Sequence, residues 1–238
     1  MIRPILYLVI FSGVWSIHAQ SCRMEPIGKP MQTLVEGEPA VNAIINPISI
    51  AEDAEGNIYF IDQFHVRIRK IGVDGTIRTV AGNGQYGSDG DGGLATQARI
   101  TAGSIAVTPD GIVYLSGRSH TIRRVGKDGI IHTIAGTGHP AFNVESGPAL
   151  AVHLNNPVGL HFGSDKNLYF ADQNNNRVRK LTPDGQVITL AGSTRRGVKD
   201  NGTVFPQQDD EEGTGGPATD AFVPSPSAVF LLPDGQLA

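Results

Sequence analysis

Internal repetition constrains this chain more than any other feature of its sequence. Residues 47–82, PISIAEDAEGNIYFIDQFHVRIRKIGVDGTIRTVAG, align without a gap on residues 157–192, PVGLHFGSDKNLYFADQNNNRVRKLTPDGQVITLAG, at a constant displacement of 110. Between them Ser104 to Gly136, SIAVTPDGIVYLSGRSHTIRRVGKDGIIHTIAG, fits at a displacement of 55 and, after one deletion, 54. A fourth copy opens at Pro226 as PSAVFLLPDGQLA. A period of this size marks an array of stacked structural units rather than one irregular core.

A short signature precedes every copy: Ala40-x-x-Ala43-x-Ile45, Ala95-x-x-Ala98-x-Ile100, Ala149-x-x-Val152-x-Leu154 and Ala218-x-x-Ala221-x-Val223. The i, i+3 spacing predicts one helical turn per connector, stopped in three of them by Pro47, Pro157 or Pro226. Inside each copy, turn signals separate four short strands. The first follows the proline, as in Ile48 to Ala51. The second, Ile58-Tyr59-Phe60-Ile61 and its copies Ile112 to Leu115 and Leu168 to Ala171, is apolar on both faces and so is covered on both sides. The third, Val66 to Ile71, alternates apolar with basic residues, the pattern of a half-exposed strand. The fourth follows Asp74-Gly75, Asp128-Gly129 or Asp184-Gly185, a hairpin signal.

The fold class is therefore all-β, and four-stranded antiparallel units with inner strands covered on both faces pack most naturally as the blades of a β-propeller. Blades are expected at about 47–82, 102–136 and 157–192, with a partial one at 226–238. Thirty Gly and fifteen Pro, scattered along the chain, supply the turns that so many short strands need. A formal net charge of −4 argues against nucleic-acid and anionic-membrane partners.

The first nineteen residues have the pattern of a secretory signal: Arg3, the apolar run Ile5 to Trp15, then Ile17-His18-Ala19 before the cut. That run falls short of the roughly 20 residues a membrane span requires. Residues 20–30 read as a tail, 31–238 as the propeller segment, and the destination as secreted or periplasmic. Cys22 is the one cysteine, so no intramolecular disulfide can form. Lipid anchoring at Cys22 is disfavoured because Ala19-Gln20-Ser21 lacks the large aliphatic residue that opens a lipobox.

The run Asp172-Gln173-Asn174-Asn175-Asn176-Arg177-Val178-Arg179-Lys180, followed by Asp184-Gly185 and Ala191-Gly192, resembles the blade pattern of the NHL-repeat family. The connector Gly87 to Ala98 is similar to the longer linker of bacterial members. The resemblance implies a six-bladed ring, of which three blades and the start of a fourth are present. Ala238 aligns with Tyr59 in mid-strand, and Thr33-Leu34 resembles Thr79-Val80, so the ring is expected to be incomplete, with open blade edges available for self-association. It also implies a charged pair pinning two strands, Asp62 with Arg67 and Asp172 with Arg177; copy two, with Ser116 or Gly117 and Thr121 there, lacks both members.

Chemistry is sparsely marked. Asp89 and Asp91 in an acidic glycine-rich loop are candidate calcium ligands, although an EF-hand register would put Ala98 where a bidentate Glu belongs. His161, on an innermost strand, is the candidate channel-lining residue; no histidine has close metal-ligand spacing, and G-x-S-x-G is absent. Asp209 to Glu212 reads as a solvated charge run, and Asn201-Gly202-Thr203 as a glycosylation sequon. The basic third strands read as solvated outer strands rather than a nucleic-acid surface. The expected role is a non-catalytic exported scaffold or binding module, without cofactor, for a protein, glycan or small-molecule ligand. The alternative is the remnant of a metal-dependent NHL-like lyase or six-bladed lactonase, which would use Ca or Zn.

Overall fold

A computed structural model describes residues 36–193, 217–232, 235 and 236. The readings on the signal, Cys22, Thr33-Leu34, Asn201 and the 209–212 charge run lie outside those residues.

Three antiparallel sheets follow the three copies. The first blade comprises β1 (Glu38–Pro39), β2 (Pro47–Glu52), β3 (Ile58–Asp62), β4 (Arg67–Ile71) and β5 (Thr76–Ala81), in the order β1-β5-β4-β3-β2. The second comprises β6 (Ser104–Val107), β7 (Val113–Ser116), β8 (Ile122–Val125) and β9 (Ile131–Ala135), in sequence order. The third comprises β10 (Ser146–Pro148), β11 (Pro157–Phe162), β12 (Leu168–Asp172), β13 (Arg177–Leu181) and β14 (Gln186–Ala191), in the order β10-β14-β13-β12-β11. The four expected strands of each copy are in place. The outermost strands β1 and β10 come from the connectors and carry no turn signal of their own; in the second blade their counterpart is a single bridge, Leu94 to Ile130.

Each connector makes the expected turn as a 3-10 turn, at Ala40–Asn42, Ala95–Gln97, Ala149–Ala151 and Ala218–Asp220. In the connectors into the second and third blades the leading alanine joins two blades. The Gly82 N–H donates to Ala95 O at 2.9 Å, while Ala95 N–H donates to Gly129 O at 2.8 Å. Gly136 and Gly185 hold Ala149 in the same way, and Gly192 N–H donates to Ala218 O. The Asp-Gly turn is possible because its glycine takes a left-handed φ, +76° at Gly75, +74° at Gly129 and +80° at Gly185.

The core lies between blades rather than within one. Tyr59, Ile61, Ile68 and Ala81 of the first blade pack on Ile105, Val107, Val113 and Leu115 of the second. Ala106, Ile122 and Ala135 of the second pack on Leu160, Leu168, Phe170 and Leu181 of the third. Tyr114 stacks on Phe162 across that seam with ring centroids 5.7 Å apart. The innermost strands β2, β6 and β11 are neighbours. Ile105 N–H donates to Ser49 Oγ at 3.3 Å, and Leu160 N–H to Ser104 Oγ at 2.9 Å. At the third equivalent position Gly159 has φ +60°, and a Cβ there would lie 2.5 Å from Ala228 Cα. The fourth copy is thus seated directly on the third blade. Val229 is buried, and Leu232 N–H donating to Gln236 O repeats the turn that Asp53 N–H and Asn57 O make in the first blade.

The half-exposed reading of the third strands does not hold. Arg69, Arg123, Arg177 and Arg179 are all buried. Arg69, Arg123 and Arg179 share a face with Phe60, Leu115 and Phe170, and the connector folds back over them, a long-range contact that strand alternation cannot register.

Candidate functional site

The buried arginines organise one polar seam per blade. Arg69, Arg123 and Arg179 occupy equivalent places on β4, β8 and β13, opposite Phe60, Leu115 and Phe170. Glu36 Oε1 accepts from Arg69 Nη1 at 3.0 Å, and Glu36 Oε2 accepts from Thr79 N–H. Asp91 Oδ1 accepts from Arg123 Nε at 2.9 Å, and Asp91 Oδ2 from Thr133 N–H at 2.7 Å. In the third blade Glu145 accepts from Arg177 Nε and Nη2 at 3.1 and 2.7 Å, while Arg179 Nη2 donates to Val144 O at 2.7 Å. The role of these acids as arginine partners was missed in the sequence, where Asp91 was read only as a candidate calcium ligand, although a signal exists: Glu36, Asp91 and Glu145 each stand four residues before the connector alanine. Charge-assisted bonds of this kind offset the desolvation of a buried guanidinium.

The expected Asp–Arg pairs need correction. Asp62 and Arg67, like Asp172 and Arg177, stand directly opposite in the ladder, but each of the four side chains bonds elsewhere. Asp172 pairs with Arg179 at 3.2 Å and accepts from Asn175 Nδ2, and Arg177 pairs with Glu145 beneath the Phe142 ring, 3.6 Å from its centroid. Asp62 takes His65 Nδ1 at 2.6 Å, and Arg67 Nη1 donates to His65 O. Burial pushes the Asp172 carboxyl up, against the lowering effect of Asn155 N–H, Asn175 and Arg179. In copy two Gly117 takes the place of the Asp and Thr121 that of the Arg, and the one-residue deletion falls in this hairpin. Gly117 there packs so close to Gly103 that a Cβ would lie 2.9 Å from Gly103 N.

At the end of the blades where the inner strands begin, each second hairpin is tied to the connector entering its own blade. Gln63 N–H donates to Asn46 O, and Asn46 Nδ2 donates to Gln63 Oε1 at 3.3 Å. Asn174 N–H donates to Asn155 O, and Asn156 Nδ2 donates to Gln173 Oε1 at 2.6 Å. His120 Nδ1 accepts from Asn156 N–H at 3.1 Å, bridging the second and third blades. The result is a rim of carboxamides with Phe64 projecting from it, 63% exposed. A concavity of about 310 Å³ is lined by Glu36, Arg67, Thr79, Gly82 and Thr96.

Asp91 is engaged by Arg123 and Thr133, and Asp89 Oδ2 lies 3.6 Å from Arg99 Nη1, so arginines occupy the loop read as a calcium site. Among the described residues, no three or more His, Cys, Asp or Glu side chains gather as a metal-holding group. His161 lies on innermost β11, its ring edge-on to Phe230 of the fourth copy at 5.8 Å, and burial lowers its pKa. Buried Asp53 and exposed Asp165 are each engaged within their own turns. Burial alone would raise Asp53, but bonds from Asn57, Tyr59 and Glu55 N–H outweigh it and hold the carboxyl below its ordinary value. Asp165 repeats this with Asn167 and Tyr169.

These features define the chain as three blades of an all-β propeller with the start of a fourth. No family model matches it. Teneurin-1 of Homo sapiens and of Mus musculus are each 28% identical over 222 residues, covering 85% of this chain; the chain spans 8% of the length of those relatives. An auxiliary nutrient binding protein from Bacteroides ovatus is similar in structure, with a TM-score of 0.52 and 22% identity over 76% of this chain and 42% of that one. Another, from Bacteroides thetaiotaomicron, has a TM-score of 0.52 and 18% identity over 78% of this chain and 43% of that one. No helix among the described residues is long and apolar enough to cross a membrane.

Proposed function

We propose that this chain is a non-catalytic, exported NHL-type propeller segment that binds a ligand through the carboxamide rim around Phe64. The observation that carries the reading is how the polar side chains are used. The buried acids and arginines of the described blades are spent on joining strands and connectors, whereas the rim presents neutral amides and an exposed aromatic ring. Amides with free donor and acceptor capacity beside an aromatic face suit a polar, uncharged ligand surface such as a glycan or peptide backbone. Likeness in fold to proteins named for nutrient binding supports the same reading, and the apolar N-terminal run supports export.

The test is a binding screen of the full chain against immobilised glycans and peptides, read with Phe64→Ala and Asn174→Ala. Saturable binding weakened by about tenfold in Phe64→Ala is the expected result. Turnover of ester or lactone substrates by the wild-type chain, or binding indifferent to both substitutions, would overturn it.

A further inference from the structure

The connector between the second and third blades, inside the array and flanked by complete blades, carries two imidazoles outside the polar seams. His139 and His153 face each other with ring centroids 6.0 Å apart and ring planes at 89°. Thr137 Oγ1 lies 2.6 Å from His153 Nδ1 and accepts from His139 N–H at 3.3 Å, while His153 N–H donates to Asn143 Oδ1 at 2.8 Å. At the same repeat positions the preceding connector has Asn83, Gln85 and Arg99, displaced by 54. There Arg99 Nε donates to Gln85 Oε1 at 2.9 Å, and Gln85 N–H donates to Asn83 Oδ1 at 3.0 Å. The backbone contact is kept in both connectors. What changes is the side-chain pair: a donor and an acceptor have become two rings with one shared capacity, donation of a nitrogen lone pair.

We infer that His139 and His153 form a surface site for a divalent transition-metal ion, zinc, nickel or copper, whose coordination is completed by water. Two imidazoles bonded to one ion through nitrogens at about 2.0–2.1 Å hold their ring centroids about 5–6 Å apart, the separation already present here. In the tautomer whose Nδ1–H donates to Thr137 Oγ1, His153 presents its Nε2 lone pair, and the hydroxyl is then the outer partner that orients a ligating histidine. His139 is exposed, so its ring can turn to bring a nitrogen to the same ion. Imidazole suits these three ions, whereas calcium and magnesium need the oxygen ligands that the pair lacks. The site lies on a connector, separate from His161 on innermost β11, and uses no residue of the carboxamide rim.

Calorimetric titration of the full chain, made without a polyhistidine tag, with zinc and nickel ions tests this. The wild type is expected to bind either ion saturably, and His139→Ala and His153→Ala should each weaken binding by at least about tenfold. His132→Ala, at an exposed histidine of β9 outside the pair, should leave it unchanged. The double variant His139→Gln/His153→Arg rebuilds the side-chain pair of the preceding connector, so it should melt at the wild-type temperature and yet lose the site. With copper bound instead, the wild-type electron paramagnetic resonance spectrum should show coupling to two imidazole nitrogens, absent from the double variant. No saturable binding by the wild type, unchanged binding by the folded double variant, or an equal loss in His132→Ala would overturn the inference.

Discussion

Asp172 and Arg179 meet at 3.2 Å with both side chains wholly excluded from solvent, joining the end of β12 to the middle of β13. Removing one partner of such a pair strands the other charge in the interior. Asp172→Ala is expected to lower unfolding free energy by about 3–5 kcal/mol, measured by urea denaturation. A loss below about 1 kcal/mol would mean that the pair is solvated in solution.

Val66 stands at φ +50°, a left-handed conformation that β-branched residues seldom adopt. Equivalent positions carry His120 at φ +58° and Asn176 at φ +56°, and Asn tolerates this region well. Val66→Asn is therefore expected to stabilise the chain by about 0.5–1 kcal/mol, net of lost apolar contact. A calorimetric melt checks the sign, and a lower Tm would refute the strain.

His120 carries an acid-sensitive link between blades. Its Nδ1 accepts from Asn156 N–H, which the protonated ring cannot do, and burial lowers its pKa below the ordinary 6.5. A depressed folded value means that its contribution is complete above the unfolded pKa and is lost as pH falls toward the folded one. His120→Asn keeps an acceptor of the kind that Asn176 Oδ1 provides to Ser225 N–H at 3.0 Å. The variant should lose part of the decline in Tm below about pH 6.5. An unchanged slope would exclude His120 as its source.

Gly159 replaces the serine of the other two inner strands where the fourth copy presses closest. Gly159→Ser restores the repeat consensus but drives Cβ to 2.5 Å from Ala228 Cα and Ser227 O, at a positive φ. The expected cost is about 1–3 kcal/mol, with faster proteolysis after residue 217. Wild-type resistance would show that the fourth copy is not seated there.

The strands and turns were legible because they depend on local chemistry: Asp-Gly pairs, prolines and apolar runs recur at fixed displacements in this sequence. The polar seams were not, because they depend on chain return. Arg69 and Arg179 read as solvent-facing until Glu36 and Val144, more than thirty residues away in sequence, fold over them. Asp172 stands opposite Arg177 in the ladder, as the five-residue spacing implies, yet it binds the arginine two residues further on, and pattern alone does not reveal that choice. The rim was likewise hidden, since Asn46 and Gln63 become neighbours only when connector and hairpin meet.

The connector alanines bear on how the array comes apart. Ala95 is held through its carbonyl by one blade and through its amide by the next, so the loss of either blade breaks a hydrogen bond belonging to the other. Unfolding should therefore spread along the array like a zipper, and each added blade should contribute more stability than it would hold alone.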